Sequence, residues 1–180
     1  IWFVVVLFVL ILSRCSNKNK SLVTDNYNYA QEKYSGMVSK FTEYDKYPRS
    51  LDKKGNLVKV DPGDWTCGFF PGSLWYLYEK TQKKKWKQYA KRFTENLEGQ
   101  KYNDGTHDIG FIMFNSFGNG YRLTKNQKYK EIVLTSANTL TTRFDSTVGC
   151  IRSWDWNKEE WQYPVIIDNM MNLELLFWAA

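Results

Sequence analysis

The feature that most constrains the fold of this 180-residue chain is a repeat of paired helical segments at an offset of 43 positions. Each copy begins with an apolar segment and continues with a polar, amphipathic one. Such pairs cannot bury their apolar faces unless they stack on neighbouring pairs. Several positions recur with little change, namely Tyr78 as Tyr121, Thr81 as Thr124 and Trp86 as Tyr129.

Helix start and stop signals place the segments within each copy. Pro71 suits the first turn of an inner helix that includes 74–78, and a second helix over 84–97 ends at Gly99. A third inner helix is predicted over 168–180. Apolar first helices and amphipathic second helices indicate two concentric layers. We therefore predict an all-α fold, an (α/α)6 barrel of six hairpins with about half of the ring in this chain; an open α-solenoid has the same periodicity.

The region before the repeat is predicted to be a helix and then a long loop. Apolar spacing favours a helix over 25–44, and Pro48 with the Gly55–Asn56 pair indicates the loop. The net charge is +6, and the densest basic run, 83–92, also contains regularly spaced aromatic residues. We interpret this run as the solvated face of an outer helix and expect no nucleic-acid partner.

The first residues have the composition of an export signal. Residues 1–12 are uncharged and apolar, a run shorter than a membrane-spanning helix needs. Leu12 to Cys15 resembles a bacterial lipobox, in which the cysteine is lipidated, although Arg14 replaces the small residue usual before that cysteine. A plain signal peptide without lipidation is the alternative.

These signals give a domain organisation. We predict a signal peptide over 1–14, a polar linker over 15–24, and the N-terminal part of one barrel domain over 25–180. The chain is expected to lack residues at both ends. The protein is expected to be exported by a bacterium, as a periplasmic protein or a membrane-anchored lipoprotein that meets the membrane only through its lipid.

Two aspartates precede predicted inner helices and are candidates for catalysis. Asp108 and Asp168 lie in loops that a ring of hairpins would open on one face. Either residue alone is as readily a helix cap. Their flanks, Ile109, Phe111 and 165–167, are unusually apolar for caps, which favours a shared cavity. Two carboxylates in one cavity cannot both ionise freely, so one pKa should rise and leave a proton donor.

Aromatic residues in the loops suggest a sugar site. Trp65, Trp154 and Trp156 could stack on pyranose faces, although any one of them could equally belong to the core. His107, the single histidine, could bind a substrate carboxylate or hydroxyl. We expect no metal, because the chain has no second histidine and no paired cysteines at ligand spacing. It also has no phosphate-binding glycine motif, and no cofactor is expected.

Three segments give a specific resemblance. Residues 65–72, 106–111 and 166–173 are similar to three successive motifs of the unsaturated glucuronyl hydrolases, glycoside hydrolase family 88. Their order and spacing also fit, and the resemblance extends from about residue 25 to the end. It implies an (α/α)6 barrel that hydrates the C4=C5 bond of the terminal uronic acid in oligosaccharides made by polysaccharide lyases.

The resemblance also implies roles for the site residues. Asp168 would protonate C4 and then activate the water that attacks C5, while Asp108 would hold sugar hydroxyls and tune its partner. Trp65 and Trp154 would shape the sugar subsite, and His107 would assist binding. No covalent intermediate is needed, unlike in ordinary glycoside hydrolysis.

Other functions fit part of the pattern. An unsaturated rhamnogalacturonyl hydrolase has the same fold, although the blocks at 106–111 and 166–173 resemble that family less. A non-catalytic glycan-binding surface lipoprotein would keep the aromatic residues and would not need an acid at Asp168. A helical-repeat scaffold for protein partners would leave both loop carboxylates unexplained.

Overall fold

The computed structural model describes residues 22–180, which belong to two compact units, one ending at Lys40 and one over Phe41–Ala180. In the first unit, helix α1 covers 22–38. The prediction of a linker over 15–24 is therefore wrong for 22–24, because α1 has already begun there. The predicted signal peptide and the lipidation site at Cys15 lie outside the described residues.

The second unit opens with a β-hairpin where we predicted a long loop. Strands β1 (Tyr47–Leu51) and β2 (Leu57–Val60) pair antiparallel. Pro48 argued against a strand because it cannot donate a ladder hydrogen bond. The structure accommodates it beside a register shift between Pro48 and Ser50. The turn is closed by Asp52, whose carboxylate accepts hydrogen bonds from the backbone N–H groups of Lys54 and Asn56, both at 2.8 Å.

The first helical hairpin follows as predicted. Helix α2 (Phe69–Thr81) is apolar, and α3 (Lys84–Glu95) packs against it. Trp86 and Phe93 are buried on α3, whereas most of its lysines are exposed, which confirms the expected outer helix. The connection turns at Gln82, which has a left-handed backbone (φ 55°). A short 3₁₀ helix, Glu98–Tyr102, then leads to the second copy.

The second copy repeats the geometry of the first. A π-helix (Gly110–Gly118) runs into α4 (Asn119–Thr124), and α5 (Gln127–Thr141) returns along it. Lys125 has the same left-handed backbone (φ 58°) as Gln82, 43 positions earlier. The hydroxyls of Thr81 and Thr124 each donate to a carbonyl four residues back at 2.6 Å. The 43-residue repeat is therefore a structural one.

The third inner segment is broken into two short helices, α6 (Asn169–Asn172) and α7 (Glu174–Ala179). Before them lies a small antiparallel pair, β3 (Phe144–Asp145) and β4 (Cys150–Ile151). The π-helix packs against α2 on one side and α7 on the other, and α5 packs behind it. This gives the two layers that the sequence predicted. Within 22–180, no helix combines the length and apolarity needed to cross a bilayer.

Candidate active site

A short extended segment, 151–154, joins the two aspartate loops. On one side, the backbone N–H of His107 donates to the carbonyl of Ser153 at 2.9 Å. On the other side, the Ser153 N–H donates to the carbonyl of Pro164 at 2.8 Å, and the Ile166 N–H donates to the buried Ser153 hydroxyl at 3.1 Å. The segment therefore brings together two loops that are distant in sequence.

As a result, Asp108 and Asp168 both approach the same nitrogen of the His107 ring. The imidazole Nε2 of His107 lies 3.5 Å from Asp108 Oδ1 and 3.6 Å from Asp168 Oδ1. One donor atom from each of the three side chains lies within 4.8 Å of the others. The His107 side chain is only 2% exposed, whereas Asp168 is 37% exposed. The arrangement places a buried imidazole behind two carboxylates, one of which is open to solvent.

The two carboxylates have different surroundings. Burial raises the pKa of Asp108 above its usual range, and the charge of Asp168 adds to that effect. A hydrogen bond from the Thr106 hydroxyl, at 2.8 Å, opposes the rise, as does the His107 imidazole. The sequence argument expected one raised pKa in the pair, and the structure places it on Asp108. Asp108 therefore keeps its proton to higher pH than an exposed aspartate does.

Asn172 ties the third inner segment to the second. Its side chain is buried, and its Oδ1 accepts the Phe111 N–H at 2.8 Å. Its amide also acts on the Asp108 carboxylate, whose pKa it lowers. A residue larger than glycine does not fit at position 110, because a Cβ on Gly110 would lie 2.6 Å from Asn172 Oδ1. The glycine thus permits the close approach that places Asn172 beside Asp108.

The same three side chains are a possible cation site among the described residues. An imidazole and two carboxylates are acceptable ligands for several divalent ions. They offer only three donors, and their spread of up to 4.8 Å exceeds the edge of a compact tetrahedral ligand shell. Nothing in this geometry requires an ion, so the expectation that the site works without a metal stays a prediction.

Trp65 packs on aromatic residues at the starts of the first two inner helices. Its ring packs against Phe69 and Phe111, with centroids 6.0 and 6.1 Å apart. The guanidinium of Arg49, from β1, sits 5.1 Å from the Trp65 ring centroid. Trp65 is 43% exposed, so part of its ring is available to a ligand. The hairpin that the sequence did not predict therefore supplies a cation beside a predicted sugar-binding residue.

Trp154 is connected to Asp108 through Thr106. Its backbone pairs with Thr106 in an isolated antiparallel bridge. Directly paired residues project their side chains to the same face, and the Thr106 hydroxyl points to Asp108. The Trp154 ring therefore projects on the face that carries the carboxylate. It stacks on Trp156 with centroids 5.0 Å apart and an interplanar angle of 11°.

Some residues that build the site were not assigned roles from the sequence. Thr106 and Asn172 lie within the motifs and Ser153 lies beside Trp154, but a motif does not reveal which neighbour each side chain binds. Arg143 gave no sequence signal at all. Its Nε donates to the carbonyl of Arg152 at 2.7 Å, and its Nη1 donates to the carbonyl of Asp104. Residues of this kind are found only from tertiary contacts.

A large apolar cavity of the described residues lies away from the carboxylates. It measures about 780 Å³ and is lined mostly by apolar side chains that include Ile151, Ile166 and Phe177. Neither a carboxylate nor the histidine lines it. We therefore place the chemistry at the three polar side chains and not at this cavity.

Comparison with known proteins identifies similar chains. No protein-family model matches. The chain is 43% identical to a curated unsaturated glucuronyl hydrolase of Formosa agariphila. The match covers the whole of this chain and 47% of that protein. Over 76% of its length it is 33% identical to an unsaturated glucuronyl hydrolase of Bacillus sp. strain GL1. The chain matches 47% of the Formosa agariphila protein and 37% of the Bacillus protein. It therefore spans about half the length of the first relative and less of the second.

Solved structures give the same result for the fold. The crystal structure of an unsaturated glucuronyl hydrolase specific for heparin is 44% identical, with a TM-score of 0.76 over 81% of this chain and 39% of that chain. A second match is the unsaturated glucuronyl hydrolase of Streptococcus agalactiae, 30% identical, with a TM-score of 0.68 over 76% of this chain and 35% of that chain. The chain thus has the fold of part of an (α/α)6 barrel, and the open α-solenoid is excluded.

Proposed function

We propose, on the premise that this chain belongs to the unsaturated glucuronyl hydrolase family, that the whole protein removes the unsaturated uronic acid from the non-reducing end of lyase-generated oligosaccharides. The observation that supports this most directly is the meeting of Asp108, Asp168 and His107 within 4.8 Å. A proton donor and a base for water are both required to hydrate a double bond, and carboxylates can serve as either.

The more exposed carboxylate is assigned the chemical steps. Asp168 gives its proton to C4 of the C4=C5 bond, and the positive charge that develops at C5 is shared with the ring oxygen. A water molecule then attacks C5 and returns a proton to Asp168. The product is a hemiketal at C5, which opens by breaking the bond between C5 and the ring oxygen. The resulting hemiacetal at C1 expels the leaving sugar as an alcohol.

The buried groups prepare this reaction. Asp108, whose pKa is raised by burial, is suited to exchange hydrogen bonds with sugar hydroxyls and to influence the ionisation of Asp168 through its charge. The Nε2 of His107 lies beside both carboxylates and is placed to exchange a hydrogen bond with the substrate or with either of them. Trp65 and Trp154 offer partly exposed rings next to the polar centre, and apolar ring faces suit the C–H surface of a pyranose.

The names of similar proteins suggest the substrate class. One structure is described as specific for heparin, and three curated relatives are named unsaturated chondroitin disaccharide hydrolases. A Streptococcus agalactiae variant, 25% identical to this chain, was solved with dGlcA-GalNAc6S. We therefore assign glycosaminoglycan-derived unsaturated oligosaccharides to this protein, with no cofactor.

The test is an assay of the full-length protein on unsaturated disaccharides from heparin, chondroitin and pectin. Hydration removes the conjugated double bond, so turnover appears as a loss of ultraviolet absorbance. We expect turnover of the heparin or chondroitin substrate. Turnover of the pectin disaccharide alone would indicate a rhamnogalacturonyl hydrolase. Binding of these sugars without turnover would favour a glycan-binding lipoprotein.

We also propose that the protein is exported and lipidated at Cys15. The supporting observation is the apolar run 1–12 followed by the lipobox-like Leu12 to Cys15. Metabolic labelling of the full-length protein with a fatty acid should label the wild type and not Cys15→Ala. Equal labelling of both would remove Cys15 as the anchor and would leave the catalytic proposal unchanged.

A further inference from the structure

A cluster of three tryptophans follows Ser153 in the chain and begins at Trp154, whose backbone pairs with Thr106. Trp154 and Trp156 stack, and Trp161 stands almost perpendicular to both, at interplanar angles of 76° and 74°. A ring that is perpendicular to two stacked rings, and in contact with both, must lie across their edges. The outer face of Trp156 is therefore not covered by either of the other two rings.

The exposure of the rings agrees with this geometry. Trp156 is 60% exposed and Trp161 is 40% exposed. Large aromatic side chains tend to be buried, and a contiguous exposed aromatic patch commonly marks a binding surface. Trp154 is partly buried, and its indole Nε1 finds no hydrogen-bond partner among the described residues. This N–H is itself buried, so the part of the cluster that a ligand can reach is the more exposed Trp156 and Trp161.

The cluster lies on the same face as the catalytic pair. Trp154 projects on the face of Thr106 and Asp108, as the antiparallel bridge requires. Trp156 follows two positions later and stacks on Trp154. Trp154 thus links the two groups, because its backbone pairs with the residue that hydrogen-bonds to Asp108 and its ring stacks on Trp156. A ligand that begins at the carboxylates and extends past Trp154 reaches Trp156 next.

Ion pairs and hydrogen bonds anchor the loop that carries the three tryptophans. The carboxylate of Asp155 pairs with the guanidinium groups of Arg143 at 2.8 Å and Arg152 at 2.5 Å. The Tyr163 hydroxyl donates toward the carbonyls of Cys150, at 2.8 Å, and Arg143, at 2.9 Å. Such anchoring orders the loop before any ligand arrives, which lowers the entropic cost of binding.

The charges of this loop favour a stacked sugar over a bound sulfate. Within 152–160 the acidic side chains, Asp155, Glu159 and Glu160, outnumber the basic ones, Arg152 and Lys158. Both of these cations also lie within 4.0 Å of the Asp155 carboxylate. The outer face of Trp156 is therefore apolar with no surplus of positive charge beside it. The C–H face of a pyranose fits that surface better than an anionic group does.

From this geometry we infer that Trp156, supported by Trp161, is a stacking subsite for a sugar ring on the leaving-group side of an unsaturated oligosaccharide. The inference rests on the proposed function, because it assigns the first sugar to the carboxylates. It adds a preference for longer substrates. The subsite contributes to binding and takes no part in the hydration step, so its loss affects KM for long substrates and leaves kcat unchanged.

The test compares an unsaturated disaccharide with an unsaturated tetrasaccharide of the same series, using the full-length protein. Trp156→Ala should raise KM for the tetrasaccharide by about three- to tenfold, the scale of one aromatic contact. It should leave kcat on both substrates, and KM for the disaccharide, unchanged. Trp156→Tyr keeps a ring and should recover most of the loss. Tyr102→Ala, which removes an exposed aromatic residue from the 3₁₀ helix, is the matched control.

The outcomes separate the two proposals. An unchanged tetrasaccharide KM in Trp156→Ala, or an equal rise in KM for both substrates, overturns the subsite. If the wild type turns over neither substrate, the proposed function fails. In that case calorimetric binding of the tetrasaccharide still decides the subsite, because Trp156→Ala must bind it more weakly than the wild type does. Thermal melting of each variant verifies that the fold is retained.

Discussion

The backbone N–H of His107 donates to the carbonyl of Ser153 at 2.9 Å, and this bond links the loop of the histidine to the segment that positions Asp168. Ser153 continues the link through its hydroxyl, which accepts the Ile166 N–H. The relative position of the two carboxylates therefore depends on a residue that takes no part in the chemistry.

Ser153→Ala tests this dependence. The substitution leaves the Ile166 N–H without its acceptor, which should cost about 1–3 kcal/mol of unfolding free energy. Turnover should also fall, because the loop before Asp168 loses an anchor. Denaturant unfolding and kcat are the two measurements. Ser136→Ala is the control, since this buried hydroxyl donates only to Ile132 within its own helix. Equal turnover in the two variants would contradict the positioning role.

Replacing each carboxylate separately tests their roles. Asp168→Asn in the full-length protein should reduce kcat by roughly 10²- to 10⁴-fold or more, because the residue serves as both acid and base, and should leave binding largely intact. Asp108→Asn should slow turnover less and change the apparent affinity as well. It also removes a negative charge beside Asp168, so the acidic limb of the pH profile should move to lower pH. Near wild-type kcat in Asp168→Asn would contradict the acid and base role, and capping would not replace it, because the Asp168 side chain makes no capping hydrogen bond at the start of α6.

The raised pKa of Asp108 predicts how stability depends on pH. Because burial raises the folded-state pKa above the ordinary value of 3.8, the folded protein holds this proton more tightly than the unfolded chain does. The stability that this residue contributes is present below pH 3.8 and is lost as the pH rises through the folded pKa. Asp108→Asn should therefore raise the melting temperature at pH 7, and the gain should shrink as the pH falls toward 3.8.

An exposed aspartate provides a control of opposite sign. Hydrogen bonds from Asn56, first its side chain and then its backbone, lower the pKa of Asp52 in the hairpin turn. Its contribution to stability is present above the ordinary pKa and is lost as the pH falls. Asp52→Asn should thus lower the melting temperature at pH 7. A melting shift of the same sign in both variants would refute the assignment of burial as the cause at Asp108.

Arg143 should matter more for stability than a paired arginine at the surface. Its side chain is 2% exposed, and it joins Asp155 to the carbonyls of Asp104 and Arg152. Arg143→Lys cannot keep this fork of donors, so we expect a loss of roughly 2–4 kcal/mol in unfolding free energy. Arg122→Lys, which breaks a bidentate but exposed pair with Glu79, should cost less than about 1 kcal/mol. Similar losses of unfolding free energy in the two variants would show that the buried contacts of Arg143 contribute no more than the exposed pair does.

Gly68 should not tolerate a side chain. A Cβ at this position would lie 2.1 Å from the Phe111 carbonyl oxygen and 2.5 Å from that of Ile112. Its backbone is ordinary (φ −71°), so the restriction is one of space and not of conformation. Gly68→Ala should push α2 away from the π-helix and cost about 2 kcal/mol or more in unfolding free energy. Gly99→Ala, where a Cβ would meet no atom within 4 Å, should be close to neutral.

The sequence by itself determined the helical hairpins, their offset of 43 positions and the identity of the two candidate carboxylates. The periodic burial that fixes these features is local, so it is visible in the order of residues. The structure reproduces the repeat down to the left-handed residues, Gln82 and Lys125, that end the inner helices. It also places Asp108 and Asp168 on one side of the His107 ring.

Only the tertiary structure decided how these residues meet. Strand β1 (Tyr47–Leu51) was not predicted, since Pro48 indicated a loop. The strand is stabilised by pairing with β2 and by burial of Tyr47, and neither of these contacts can be read from the local sequence. Ser153 and Arg143 connect residues far apart in the chain, and no sequence pattern records which backbone groups they bind. The π-helix contacts Gly68 on one neighbouring segment and Asn172 on another. These contacts exist only once the segments are packed. Periodicity therefore determined the elements, and long-range hydrogen bonds and steric fit determined the site.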